Sequence, residues 1–185
     1  MPITIRLTED ELLQRVRLAR CMEPPADSAT LIVREDAPVA DLWLKATLRM
    51  RYENMMTAAD PSALPLTDCT ATATVEASPG GRTSCELYLP PRTVRAVSIR
   101  LRGWLADAKI VSPDSEEAAD QTSSYGRAGR CRPIAVDHGD GHLTLYGGFE
   151  GATPAAERIT AVALPPEGEY ILTPAMLHSL AGCEC

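Results

Sequence analysis

Aromatic side chains are scarce in this 185-residue chain, making up 4% of it with a single phenylalanine. Surfaces that hold single-stranded nucleic acid stack bases on aromatics interleaved with basic residues, and no such interleaving occurs here. Histidine is limited to His138, His142 and His178. With no Gly-x-Ser-x-Gly turn beside them, a Ser-His-Asp hydrolase has no support. The six cysteines form no Cys-x-x-Cys pair and have no histidine at zinc-finger spacing. Glycines at Gly126 and Gly129 are loosely spaced around Arg127 but lack the strand-to-helix setting of a phosphate loop. No apolar run approaches the length of a membrane span. The N-terminus is charged within its first six residues, so no export signal is expected. These absences predict a soluble cytoplasmic chain with reduced thiols, no cofactor, no membrane partner and no catalytic role.

What is present has ordinary globular proportions, with 45% hydrophobic and 23% charged residues. The net charge of −7 disfavours a dominant contact with nucleic acid or anionic membrane. Patterning predicts an α+β fold, with N-terminal helices, an antiparallel β-sandwich-like region and a short C-terminal helix. The expected division is a helical segment over 1–66, a β-rich region over 67–172, and a C-terminal helix and tail over 173–185, packed as one compact domain. Thr8 and Glu11 form a capping box for a helix over 8–20. A second helix is expected from 38 to 58. Its apolar stripe of Val39, Leu42, Trp43, Ala46, Met50 and Met55 is expected to pack against another element. Residues 29–34 form a short apolar run that periodicity leaves unassigned.

Alternation predicts strands at 69–77 and 82–89, joined by a three-residue loop that opposes Val75 to Cys85. A strand over 94–102 is expected to point Val97, Ile99 and Leu101 inward, leaving Arg100 and Arg102 outward. Residues 105–111 are expected beside it. Residues 112–130 read as a long polar loop, acidic first (Asp114, Glu116, Glu117, Asp120) and basic afterwards (Arg127, Arg130). Loops of this length are commonly functional. A hairpin over 132–147 turns at Gly139-Asp140-Gly141. An even-numbered loop there would put Ile134 and Val136 on the face of Leu143 and Leu145. Two more strands are expected at 158–164 and 169–172.

Asp137, His138, Asp140 and His142 surround that turn. His138, Asp140 and His142 are the weak metal candidates, for a metal-dependent hydrolase. Asp and Gly also serve a tight turn's own backbone, which is the favoured reading. The arginines Arg92, Arg95, Arg100 and Arg102 could meet phosphate, but contact with an acidic loop of a neighbouring subunit is equally consistent. The interface candidates are therefore Arg100, Arg102, Asp114, Glu116, Glu117, Arg127 and Arg130.

The stretch Leu89-Pro90 followed by Val94 to Trp104 resembles a pattern in head–tail connector proteins of tailed phages. It is similar to the tail tubular or gatekeeper type found in Bacteroides-group phages and prophages. Gln121, Tyr125-Gly126-Arg127 and Arg132 to Val136 resemble further elements of that group, and Leu143 to Tyr146 its following strand. The resemblance covers residues 87–147; Pro91-Arg92-Thr93 departs from the group's acidic and aromatic residues. It implies a helical part and a β-sandwich-like part repeated around a ring. Portal and tail proteins of the same phage would be partners, DNA could pass through the lumen, and no catalytic residues carry over. The alternative expectation is a stand-alone ligand-binding β domain with a pocket between its sheets.

Overall fold

The computed structural model describes residues 3–19, 37–78, 83–121, 127–149 and 153–181. The fold is α+β. It divides into two compact units, one made of residues 1–65 and 164–185, the other of the continuous stretch 66–163. The first boundary lies one residue from the expected one. The second falls at 163/164 rather than after 172, because strand β10 (Glu169–Leu172) pairs with β1 (Ile5–Thr8) at the far end of the chain.

The first unit joins this antiparallel pair to helices α1 (Glu9–Ala19), α2 (Ala37–Ala58) and α4 (Pro174–Ala181), with one 3-10 turn at Pro61–Ala63. The capping box at the start of α1 is complete. Glu11 N–H donates to Thr8 Oγ1 at 3.4 Å, and Thr8 N–H donates to Glu11 Oε2 at 2.8 Å. Leu12, Leu13 and Val16 are its buried face. Thr173 performs the equivalent service for α4, accepting from Met176 N–H at 3.3 Å while donating to Ala63 O at 2.8 Å. The run at 29–34 lies outside the described residues.

Helix α2 corrects the sequence reading. Its buried residues are Leu48, Tyr52 and Met56, while Leu42, Trp43 and Met50 are 68%, 70% and 57% exposed. Of the expected stripe, Leu42, Trp43, Ala46 and Met50 face outward and Met55 is half-buried. The inward face is made usable by pairing its polar members. Lys45 Nζ reaches Asp10 at 2.7 Å and Glu9 at 3.4 Å, and Arg17 pairs with Asp41. Tyr52 packs edge-on against Tyr170 and donates to Ile171 O at 3.2 Å. Burial pushes the Tyr52 phenol up to about 12.

In the second unit, two sheets share one core. The three-stranded sheet runs β2 (Leu66–Asp68), β9 (Ala156–Ala163), β5 (Thr93–Leu101). The five-stranded sheet runs β3 (Thr74–Ala77), β4 (Ser84–Tyr88), β8 (His142–Tyr146), β7 (Ile134–Gly139), β6 (Lys109–Val111). Leu87, Ala135, Leu143 and Leu145 from one sheet meet Ala96, Ile99, Leu101, Ile159 and Ala161 from the other. This is the expected sandwich-like arrangement, though not wholly antiparallel, since β6 runs parallel to β7.

Several register expectations change. Val75 and Cys85 share a face, but Val75 opposes Leu87, and Ala77 opposes Cys85. The strand start expected at 69 is a turn instead. Asp68 Oδ1 accepts from Thr70 N–H at 2.9 Å, and Ala73 N–H donates to Cys69 O at 2.8 Å, which curls the alternating residues. In β5, a register shift between Ala96 and Ser98 puts Ala96 rather than Val97 in the core. A bulge adds one residue and so reverses the alternation. Residues 105–108 do not form a strand beside β5; one bond, Ala108 N–H to Ile99 O at 2.8 Å, precedes the crossing of β6 into the other sheet. Ile134 and Val136 stand opposite Tyr146 and Thr144, so they lie on the outer face rather than with Leu143 and Leu145. The supposed loop at 112–130 contains helix α3 (Glu116–Asp120), capped by Ser115, whose Oγ accepts from Ala118 N–H at 3.2 Å.

Candidate functional site

The outer face of the five-stranded sheet brings the turn histidines together, though not as metal ligands. Tyr88, His142 and His138 come from three adjacent strands and stack with ring centroids 4.9 and 5.1 Å apart. The plane angles are 11° and 25°. Nitrogen lone pairs lie in the ring planes, so rings stacked this way cannot both aim at one ion. Their nitrogens are also engaged separately: His142 Nε2 lies 3.0 Å from Glu86 Oε2, and His138 Nε2 lies 2.8 Å from Thr144 Oγ1. Asp140 sits exposed in the turn with φ 52° and takes no part. Asp137 Oδ1 accepts from Gly139 N–H at 2.9 Å, which is turn chemistry. Among the described residues, no three His, Cys, Asp or Glu side chains are placed to hold a metal.

Glu86 is the centre of this network, and the sequence reading did not single it out. Its carboxylate accepts from Thr144 Oγ1 at 2.9 Å and from Ser78 Oγ at 2.9 Å, besides facing His142. Its signal was weak: a glutamate at an outward position of a strand is an ordinary surface residue until its neighbours are known. His178 lies in α4, away from this network in sequence and in element.

The interface candidates separate into engaged and free residues. Arg100 donates from Nε to Trp104 O at 3.2 Å and lies 3.6 Å from Glu157. Arg102 is exposed and has no side-chain partner among the described residues. Glu117 pairs with Lys109, and that hydrogen bond holds its carboxyl below the usual range. Asp114, Glu116 and Asp120 are exposed, with no side-chain partner among the described residues. Arg127 and Arg130 are exposed but already engaged.

One further charged cluster ties the bulged strand to its neighbour. Asp107 accepts from Ser98 Oγ at 2.8 Å and from Arg158 Nη2 at 2.8 and 2.7 Å. Burial raises its carboxyl, but the bonds from Ser98 and Arg158 outweigh that and leave it below the ordinary range.

Trp104, Gln121 and Pro133 anchor the segment between β5 and β7. Trp104 Nε1 donates to Gly148 O at 2.6 Å. Gly147 has φ 146°, and a Cβ there would stand 3.0 Å from Pro133 Cβ and 3.3 Å from Trp104 Cε2. Only glycine lets the chain pass this close. Gln121 is 6% exposed; its amide donates to Glu117 O at 2.8 Å and accepts from Ala128 N–H at 2.8 Å. No helix among the described residues is long and apolar enough to cross a membrane. The chain matches no protein-family description and no curated protein sequence.

Proposed function

We propose that this chain is a structural subunit of a phage or prophage head–tail connector, acting by assembly and without turnover. Copies would associate in a ring between portal and tail proteins, with DNA passing through the lumen. The observation that carries the reading lies in the described part of residues 87–147, where the resemblance lies. Those described residues span β4 to β8, and three residues of the motifs, Trp104, Gln121 and Pro133, are buried anchors. Its charges at Arg102, Asp114 and Glu116 point outward without partners among the described residues. Buried anchors with free outward charge of both signs suit a subunit that presents unlike faces to its neighbours.

The test is the mass of the purified protein, alone and with the portal and tail proteins encoded beside it. A larger species on mixing supports the reading; a strict monomer with affinity for neither sinks it. Within that assay, Arg102→Glu is expected to weaken assembly while leaving the melting temperature unchanged. Arg100→Glu is expected to lower the melting temperature as well, since it breaks the bond to Trp104 O.

A further inference from the structure

The outward face of α2 is left largely uncovered by the described residues. Leu42, Trp43 and Met50 stand largely exposed around Ala46, which is exposed too. An aromatic side chain alone offers ~150–250 Å², so the three large residues together present on the order of 400 Å² of apolar surface. That is about half of the roughly 800 Å² each partner contributes to a stable interface, the rest being polar rim. The patch thus has the size of an interface centre.

Its two rims differ. On one side Arg49 and Glu53 neutralise each other at 3.1 Å. On the other, Arg51 is exposed and has no ion-pair partner among the described residues. Packed antiparallel about a twofold axis, two α2 helices set like rim against like rim, and packed parallel they set Arg51 against the rim where Glu53 is already paired with Arg49, so neither gives Arg51 a free carboxylate. The rims therefore disfavour self-pairing and call for an acidic receiving surface. The same chain carries one elsewhere. Asp114, Glu116 and Asp120 are exposed without side-chain partners among the described residues, and exposed Pro113 and Ala119 lie among them.

We propose that α2 docks through Leu42, Trp43 and Met50 onto a second copy of this chain, with Arg51 meeting that copy's acidic α3 region. The contact joins unlike surfaces, so it propagates from copy to copy and closes into a ring when the rotation permits. It rests on the assembly reading above and names the surfaces that assembly uses.

The experiment follows association by sedimentation over a concentration series, alone and with the portal and tail proteins, alongside tryptophan emission. Trp43→Phe provides the correction for Trp104. Association is expected to shift Trp43 emission to the blue. Trp43→Ser and Arg51→Glu are each expected to weaken association by about tenfold or more. Adding Glu116→Arg to Arg51→Glu is expected to restore it. All three positions are exposed, and an unchanged circular dichroism spectrum verifies folding. If the wild type assembles but Trp43→Ser and Arg51→Glu assemble equally well, the docking surface is wrong and the ring reading stands. Trp43 emission already blue in a dilute monomer overturns the proposal by showing that the chain covers this face itself. A wild type that never associates removes both readings.

Discussion

At the scale of single residues, donor counting settles which ring nitrogens of the stacked histidines carry hydrogen. The Thr144 hydroxyl has one hydrogen, and it goes to Glu86. It can therefore only accept from His138, whose Nε2 must carry a proton. His142 Nε2 faces the same carboxylate and must carry one too. Nitrogen-detected NMR should find a hydrogen on Nε2 of both imidazoles. Glu86→Ala should cost about 1–2 kcal/mol in urea unfolding, because it strands Ser78 and Thr144 together with His142. Cysteine chemistry divides just as cleanly. Burial pushes the Cys85 thiol up to about 12, and Cys69 is raised for the same reason. Cys131 is exposed. Peptide mapping after brief alkylation at mildly alkaline pH should find Cys131 modified and Cys69 and Cys85 protected until the protein unfolds.

At the scale of elements, one carboxylate reinforces the link between β5 and β9. Asp107 binds Ser98 of β5 and Arg158 of β9, next to the register shifts that weaken the regular ladder. Its folded pKa lies below the unfolded value, so the stability it adds is present above the unfolded pKa. That contribution is lost as pH falls through the folded one. Asp107→Asn should therefore be less stable than wild type at neutral pH, and the two unfolding curves should converge as pH falls through the lowered pKa of the folded carboxyl. A constant difference across that range would rule out the ionised clamp. The bulges that make the clamp useful also explain why strict alternation misassigned Val97. Alternation assumes one residue per step, and an inserted residue changes the face of everything before it.

At the scale of the whole molecule, one unit is interrupted by the other. Leu66 pairs with Val162, so the entry to and exit from the second unit are neighbours on adjacent strands. Ends this close are what an inserted domain needs. A fragment of residues 66–163 is expected to fold alone, with a β-type circular dichroism spectrum and a cooperative thermal transition. A fragment that is unfolded when isolated would show that this unit depends on the rest of the chain.

Local chemistry was legible in the sequence wherever neighbours along the chain were enough to define it. The Thr8 and Glu11 capping box, the extent of α2, the Thr173 start of α4 and the α+β class all depend on contacts within a few residues. The tertiary structure decided what distant segments impose. Helix α2 has apolar residues on two faces, and Leu48, Tyr52 and Met56 are the buried set because charged partners on α1 neutralise Asp41 and Lys45 beside them. The turn histidines became a stacked ladder because β4 brings Tyr88 and Glu86 alongside. Strand β10 left the β-rich region because its partner β1 lies at the other end of the chain, a pairing that no local pattern encodes.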